Sequence, residues 1–272
     1  MPTSAPDPNL QLALVCVATM LSGMVNAASG VGGAAVLLPL LLLFMEPKTA
    51  LVVVALSQIS RNFTLTLATF RSARLQVVWR LAAGGILGAI GGALLIGSIP
   101  DLWIRRLLGL GLLAFVTNEL ARPDRKHHIP LEVMPAVGTM TGGVSALFGT
   151  AGPITAPFLY WYGLTAVPLV ATLTASSLIT NLAKLSTYAA LGFYKNIGVA
   201  MTVGTVVSVV IGTELGVFIL KRFDARHFRM VFLGMLTVVA LTYLFGPVKE
   251  NPAAADARLH AARRQKFLEQ HE

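Results

Sequence analysis

The sequence predicts an all-α integral membrane protein of two homologous, inverted repeats. Each repeat has about five membrane helical elements, with glycine-broken helices near the midplane. Three observations carry this. The chain is 55% hydrophobic and 12% charged, where soluble domains carry about 25% charge. Its apolar runs are long and lack the alternation of a membrane barrel, so they read as helices. Finally, a glycine-rich interruption, Ala28-Ser29-Gly30-Val31-Gly32-Gly33, returns in altered form as Phe148-Gly149-Thr150-Ala151-Gly152-Pro153. Lipid cannot hydrogen-bond backbone groups, so a helix broken at membrane depth survives only where protein or a polar cavity takes up the freed groups. Broken helices in corresponding places of two halves point to a binding site.

Residues 1–9 are polar, contain three prolines and are expected to be disordered. No Lys or Arg precedes Lys48, so the positive n-region of a signal peptide is missing and residues 10–28 read as a span. After the break, residues 34–44 form a shorter apolar piece, about 17 Å long as helix, a half-helix or a strongly tilted span. Pro47 suits the first turn of the next helix. That span, 49–70, has an unusual interior: Ser57, Gln58, Ser60, Arg61, Asn62, Thr64 and Thr66. Span 76–99 carries Gly84, Gly85, Gly88, Gly91 and Gly92, a pattern that lets helices approach closely. Span 102–120 completes the first repeat, residues 10–120, and a charged linker at 121–130 marks the middle.

The second repeat, residues 131–247, follows the first at an offset of 119. Gly23 falls on Gly142, Gly30 on Gly149, Gly33 on Gly152, Ser57 on Ser176 and Asn62 on Asn181. Its elements are 131–147, 154–163, 167–191, 197–220 and 228–245. A polar tail, 248–272, closes the chain. Five elements per half make the repeats inverted; if the broken pair acts as one span, they are parallel. Loop charge discriminates by the positive-inside rule. The inverted reading puts 10 basic residues on one side and 5 on the other, the parallel reading 8 and 7, tail excluded.

Two cations lie inside spans. Arg61 sits near mid-depth, and Lys184 sits similarly in the matching span of the second half. A charge at the bilayer centre costs about 3 kcal/mol, so each needs a reason. Ser57, Gln58 and Asn62 surround Arg61; Ser176, Ser177 and Asn181 lie on the span of Lys184. Two polar stripes, each with a cation, can line one cavity. An anion is the natural guest: Arg offers forked donors, Lys a point charge, and the half-helices add positive dipole ends. Gly30, Gly33, Gly149 and Gly152 would let backbone approach it. Glu214, the one acid deep in a span, is either the counter-charge of these cations or a proton-coupling group.

Other chemistry is disfavoured. All five histidines, His127, His128, His227, His260 and His271, fall in loops or tail, so Ser29 has no general base. There is no metal-ligand spacing and no Walker loop, hence no metal, cofactor or enzymatic activity is expected. The formal net charge of +9 falls largely in connections and tail, where it fits orientation and lipid headgroups rather than nucleic acid. Cys16 is a lone residue in an apolar run and reads as a small hydrophobe.

With its two glycine-rich breaks, each followed by an apolar run and a proline (Ser29-Gly30-Val31-Gly32-Gly33 to Pro39, Gly149-Thr150-Ala151-Gly152 to Pro157), the chain resembles the sulfite exporter family (TauE/SafE), the toluenesulfonate uptake permeases. The second copy has Ala151 and Pro153 where the first has Gly32 and Ala34. The resemblance runs from about Leu12 to Leu244. It implies a multi-pass secondary transporter of small sulfur-containing anions in the inner membrane, working by alternating access of the two repeats. The rival readings are a passive anion channel and a non-transporting membrane assembly factor. The expected partners are a small anionic substrate and membrane lipid, and a homo-oligomer is compatible with the sequence.

Overall fold

The computed structural model describes residues 7–29, 33–98, 129–164, 166–195 and 197–220, with five helical positions at 103, 106, 110, 113 and 117. Within these residues all regular structure is helical. The order is α1 (Pro8–Ser29), α2 (Gly33–Leu42), α3 (Pro47–Thr69), α4 (Leu75–Ser98), α5 (Met134–Phe148), α6 (Gly152–Trp161), α7 (Ala166–Ala190) and α8 (Val199–Leu220). The expectations for 1–6, for 228–245, for the tail and for most of the linker lie outside the described residues, as does Gly30.

Five helices, α1, α3, α4, α5 and α8, are long and apolar enough to cross a membrane. α7 is longer than any of them, at 25 residues, yet is not among them. Its sequence explains this. Thr172, Thr174, Ser176, Thr180, Asn181 and Lys184 sit on it and are all buried inside the protein, so most of its polarity is turned inward, and the exposed Ser186 bonds back to the Leu182 carbonyl. The lipid-facing surface is apolar in compensation. Leu10, Val17, Phe63, Leu67, Val199, Val203 and Ile211 are all exposed.

α3 and α7 pack against each other at the centre. The flanking pairs form between the two halves of the chain rather than within them: α1 lies on α8, and α4 lies on α5. Small residues make both contacts close. A Cβ at Gly84 or Gly88 would run into the carbonyls of Pro135 and Thr139, and one at Gly142 into that of Gly85. On the other pair, a Cβ at Gly23 would stand 2.7 Å from the Val209 carbonyl. Dispersion between closely approaching backbones holds such helices together where lipid supplies no hydrophobic drive.

Each half also has a short helix. α2 and α6 are 10 residues long, about 15 Å, half of a bilayer core. α5 ends at Phe148, and Gly149 follows in the left-handed region at φ 80°, a position that favours glycine because it lacks a Cβ. α6 starts three residues on, at Gly152. α1 likewise ends at Ser29 and α2 starts at Gly33. Several boundaries differ from the sequence reading by one to three residues, α6 by two at each end and α8 by two at its start. The run expected to continue to 44 leaves helix after Leu42, and the run expected from 131 opens with a single 3₁₀ turn, Leu131–Val133, between Pro130 and Pro135.

Candidate functional site

The polar side of α3 sets the site. Ser57, Gln58, Arg61 and Asn62 lie within little more than one turn, and all but Arg61 are buried. Arg61 donates from Nη2 to Asn62 Oδ1 at 3.3 Å. Among the described residues no carboxylate pairs with it; an ion pair elsewhere, Arg80–Glu132 at 4.0 Å, is on the exposed surface.

Two cavities open against this patch. The larger, about 150 Å³, lies between α3, α5, α6 and α7. α3 contributes Gln58, Arg61 and Asn62, and α5 contributes Thr141, Gly142 and Ser145. Thr150, Ala151, Gly152 and Thr155 bring the N-terminal end of α6 to it, and α7 adds Thr174, Ser176, Ser177, Thr180 and Asn181. Leu65, Leu81, Leu169, Val170 and Leu173 complete the wall. One water needs about 10–15 Å³, so this space takes a small polyatomic solute. Asn181 is 2% exposed, and its Oδ1 has no partner. The smaller cavity, about 10 Å³, lies on the other side of Gln58 and Arg61, against Ser22, Gly23, Asn26, Gly33, Ser57 and Val209. Among the described residues Arg61 is the one ionisable side chain lining either cavity.

Lys184 sits elsewhere than the sequence suggested. It is fully buried and lines neither cavity. Its ammonium donates to Ser145 Oγ at 3.0 Å and to the carbonyls of Ser145 and Gly149 at 3.4 Å each. One turn on, the Tyr188 hydroxyl donates to the Ala146 carbonyl. The last carbonyls of a helix have no intrahelical partners and form its negative end; α7 supplies both the donors and the positive charge. Gln58 Nε2 donates to the same Gly149 carbonyl from the other side. The second break is thus tied into α3 and α7.

Of the residues singled out from sequence, Gln58, Arg61, Asn62, Ser176, Ser177, Asn181 and Gly152 come together at the larger cavity. Ser57 and Gly33 join Gln58 and Arg61 at the smaller. Lys184 and Gly149 stand behind the wall. Glu214 is exposed on α8 and lines neither cavity. Sequence reasoning missed Ser22 and Asn26 on α1 and Thr141 and Ser145 on α5. The available signal was polar residues four apart, hence on one helix face, just before each break. Among the described residues no group of three His, Cys, Asp or Glu could hold a metal.

Among the described residues the architecture is an all-helical bundle with an apolar outer surface and a hydroxyl-rich cavity that carries one cation, the make-up of an integral membrane protein. More narrowly, the chain belongs to the sulfite exporter TauE/SafE family, whose model matches residues 15–243. That family is one of membrane transporters or exporters of sulfite or related anions. No curated protein and no solved structure matches the chain significantly.

Proposed function

We propose that this protein is a secondary transporter of small sulfur-containing anions, organosulfonate or sulfite-like, in the inner membrane, and that Arg61 holds the anion in the larger cavity. The observation that carries this is Arg61 itself: a cation at the wall of a roomy buried cavity, with no carboxylate beside it among the described residues. Leaving such a charge unmatched inside a bilayer costs about 3 kcal/mol, and a bound anion offsets that. The guanidinium fork matches two oxygens of a sulfonate. Ser177, Thr180 and Asn181 stand ready with neutral hydrogen bonds. A half-turn of the Asn181 amide, whose two ends are interchangeable in geometry, aims its N–H at an anion. The α6 N-terminus at Gly152 adds a positive dipole end.

The other candidates take supporting places. Gln58 and Lys184 fix the Gly149 carbonyl and so the start of α6. Glu214, outside both cavities, leaves Arg61 free for a ligand. Residues 10–120 and 131–247 act as two inverted repeats that rock about the site. The cross-half pairing of α1 with α8 and α4 with α5 supports that arrangement, because each repeat's first helix then rests on the other repeat's fourth.

The test is thermal stability of the purified protein against sulfite, sulfoacetate, toluenesulfonate, sulfate and carboxylates at matched ionic strength. At 100 times its dissociation constant, a ligand adds about 2.7 kcal/mol to the folded state. The expected result is a shift for a sulfur anion that is absent in Arg61→Ala. A folded Arg61→Ala protein with an undiminished shift removes Arg61 from the site. Saturable counterflow in proteoliposomes separates a carrier from a channel.

A further inference from the structure

The small cavity's walls recur in the large one. At the offset of 119 that relates the halves of the sequence, Ser22 falls on Thr141, Asn26 on Ser145, Gly33 on Gly152 and Ser57 on Ser176. Gly23, Gln58 and Arg61 fall on Gly142, Ser177 and Thr180. All seven first-half positions line the small cavity, and all seven counterparts line the large one. Of the small cavity's described lining, Val209 from α8 alone stands outside the correspondence; the large cavity has further walls from α3, α4, α6 and α7. A fixed offset does not map one cavity onto an unrelated one position by position.

The two differ in how the corresponding groups are bonded. In the small cavity the polar groups of α1 reach across the break to α2. Ser22 Oγ donates to the Gly33 carbonyl at 2.7 Å, and the Gly33 N–H donates to Asn26 Oδ1 at 3.3 Å. In the large cavity the same positions bond elsewhere. Thr141 turns back to the Val137 carbonyl of its own helix at 2.8 Å, and Ser145 Oγ accepts from Lys184. With those groups drawn off, α6 packs less on α5 than α2 does on α1 and about 150 Å³ is open; with α2 bonded to α1, about 10 Å³ remains.

We infer that the small cavity is the closed copy of the large one. The two are opposite ends of one anion pathway that meets at Arg61 and Gln58, and Ser22 and Asn26 form the clamp that keeps the first end shut. This rests on the transport reading and adds the second access route and its gate. Release of Gly33 from Ser22 and Asn26 opens the first end. In inverted repeats the two ends face opposite sides of the membrane, so Arg61 meets each side in turn.

The test is sided thiol labelling. Ser22→Cys and Thr141→Cys are made separately in a Cys16→Ser background and treated with a membrane-impermeant methanethiosulfonate in right-side-out and inside-out vesicles. The expected result is labelling of the two thiols from opposite faces, Thr141→Cys readily and Ser22→Cys slowly. Adding Asn26→Ala to Ser22→Cys loosens the clamp and should speed its labelling at least several-fold. Ser57→Cys and Ser176→Cys, whose hydroxyls bond only within their own helices, repeat the comparison should a first variant fail to fold.

Labelling of both thiols from the same face, or of either from both faces, overturns the inference, as does a Ser22→Cys that stays inert with Asn26→Ala. Any of these with the Arg61-dependent anion shift intact removes the second route and leaves the transport reading standing. Opposite-face labelling without any anion shift keeps the two-ended pathway and removes the sulfur anion.

Discussion

The two breaks share a plan and differ in their ties. At the second, Gln58, Lys184 and Tyr188 bring donors from two helices to the carbonyls of Ser145, Ala146 and Gly149. At the first, the described bonds are those between α1 and Gly33. The offset of 119 sets Leu65 against Lys184, Thr69 against Tyr188 and Ser177 against Gln58. Leucine has no donor, Thr69 bonds back to its own Leu65 carbonyl at 2.7 Å, and serine is two heavy atoms shorter than glutamine. Among the described residues none of the three ties is matched in the first half. Among the described bonds the second break is the more heavily tied, and the gate we infer lies at the other.

The sharpest way to break that comparison is Lys184→Ala. It removes a fully buried side chain and strips Ser145 Oγ of its donor, so a loss of about 3 kcal/mol is expected, read as a lower midpoint in denaturant titration of the detergent-solubilised protein. An unchanged midpoint would mean that the second break holds itself. Gln58→Ala comes next, at about 2 kcal/mol, because a buried amide bond to Gly149 is lost; its effect should shrink when Lys184 is already gone if both act on that one carbonyl. Tyr188→Phe removes a single hydroxyl donor from Ala146 while the ring keeps its stack on Phe193 at 5.4 Å. About 1 kcal/mol is expected, with hydrogen exchange quickening at the end of α5. Asn26→Ala should cost least, under about 1 kcal/mol, as its bond to Gly33 is long. A loss as large as that of Lys184→Ala would erase the difference between the breaks.

Much of this plan is readable from residues alone, and the part that is not has a physical reason. Hydrophobic runs and the spacing of glycines locate α1 to α4 to within a few residues, because burial in lipid and the loss of Cβ act locally. The cavity face of α3 is legible too, since Ser57, Gln58, Arg61 and Asn62 leave little room for another use in a membrane. Lys184 is not. Sequence gives its depth but not its direction, and four residues separate it from Thr180, the true counterpart of Arg61. That one turn aims the ammonium at the end of α5 instead of the cavity. Ser22 and Asn26 stay hidden for a similar reason: in an apolar helix they look like isolated polar residues until the chain folds back at Gly33.

Arg61, among the described residues the one ionisable group at the meeting of both cavities, has an electrical consequence. A site that carries one fixed positive charge is neutral with a monoanion aboard and charged when empty. In the carrier cycle we propose, the membrane field, which acts with about 2.3 kcal/mol per elementary charge per 100 mV, therefore pulls on the unloaded carrier and ignores the loaded one. Voltage would then set the pace of the empty return stroke, and a dianion would move that sensitivity to the loaded stroke with its sign reversed.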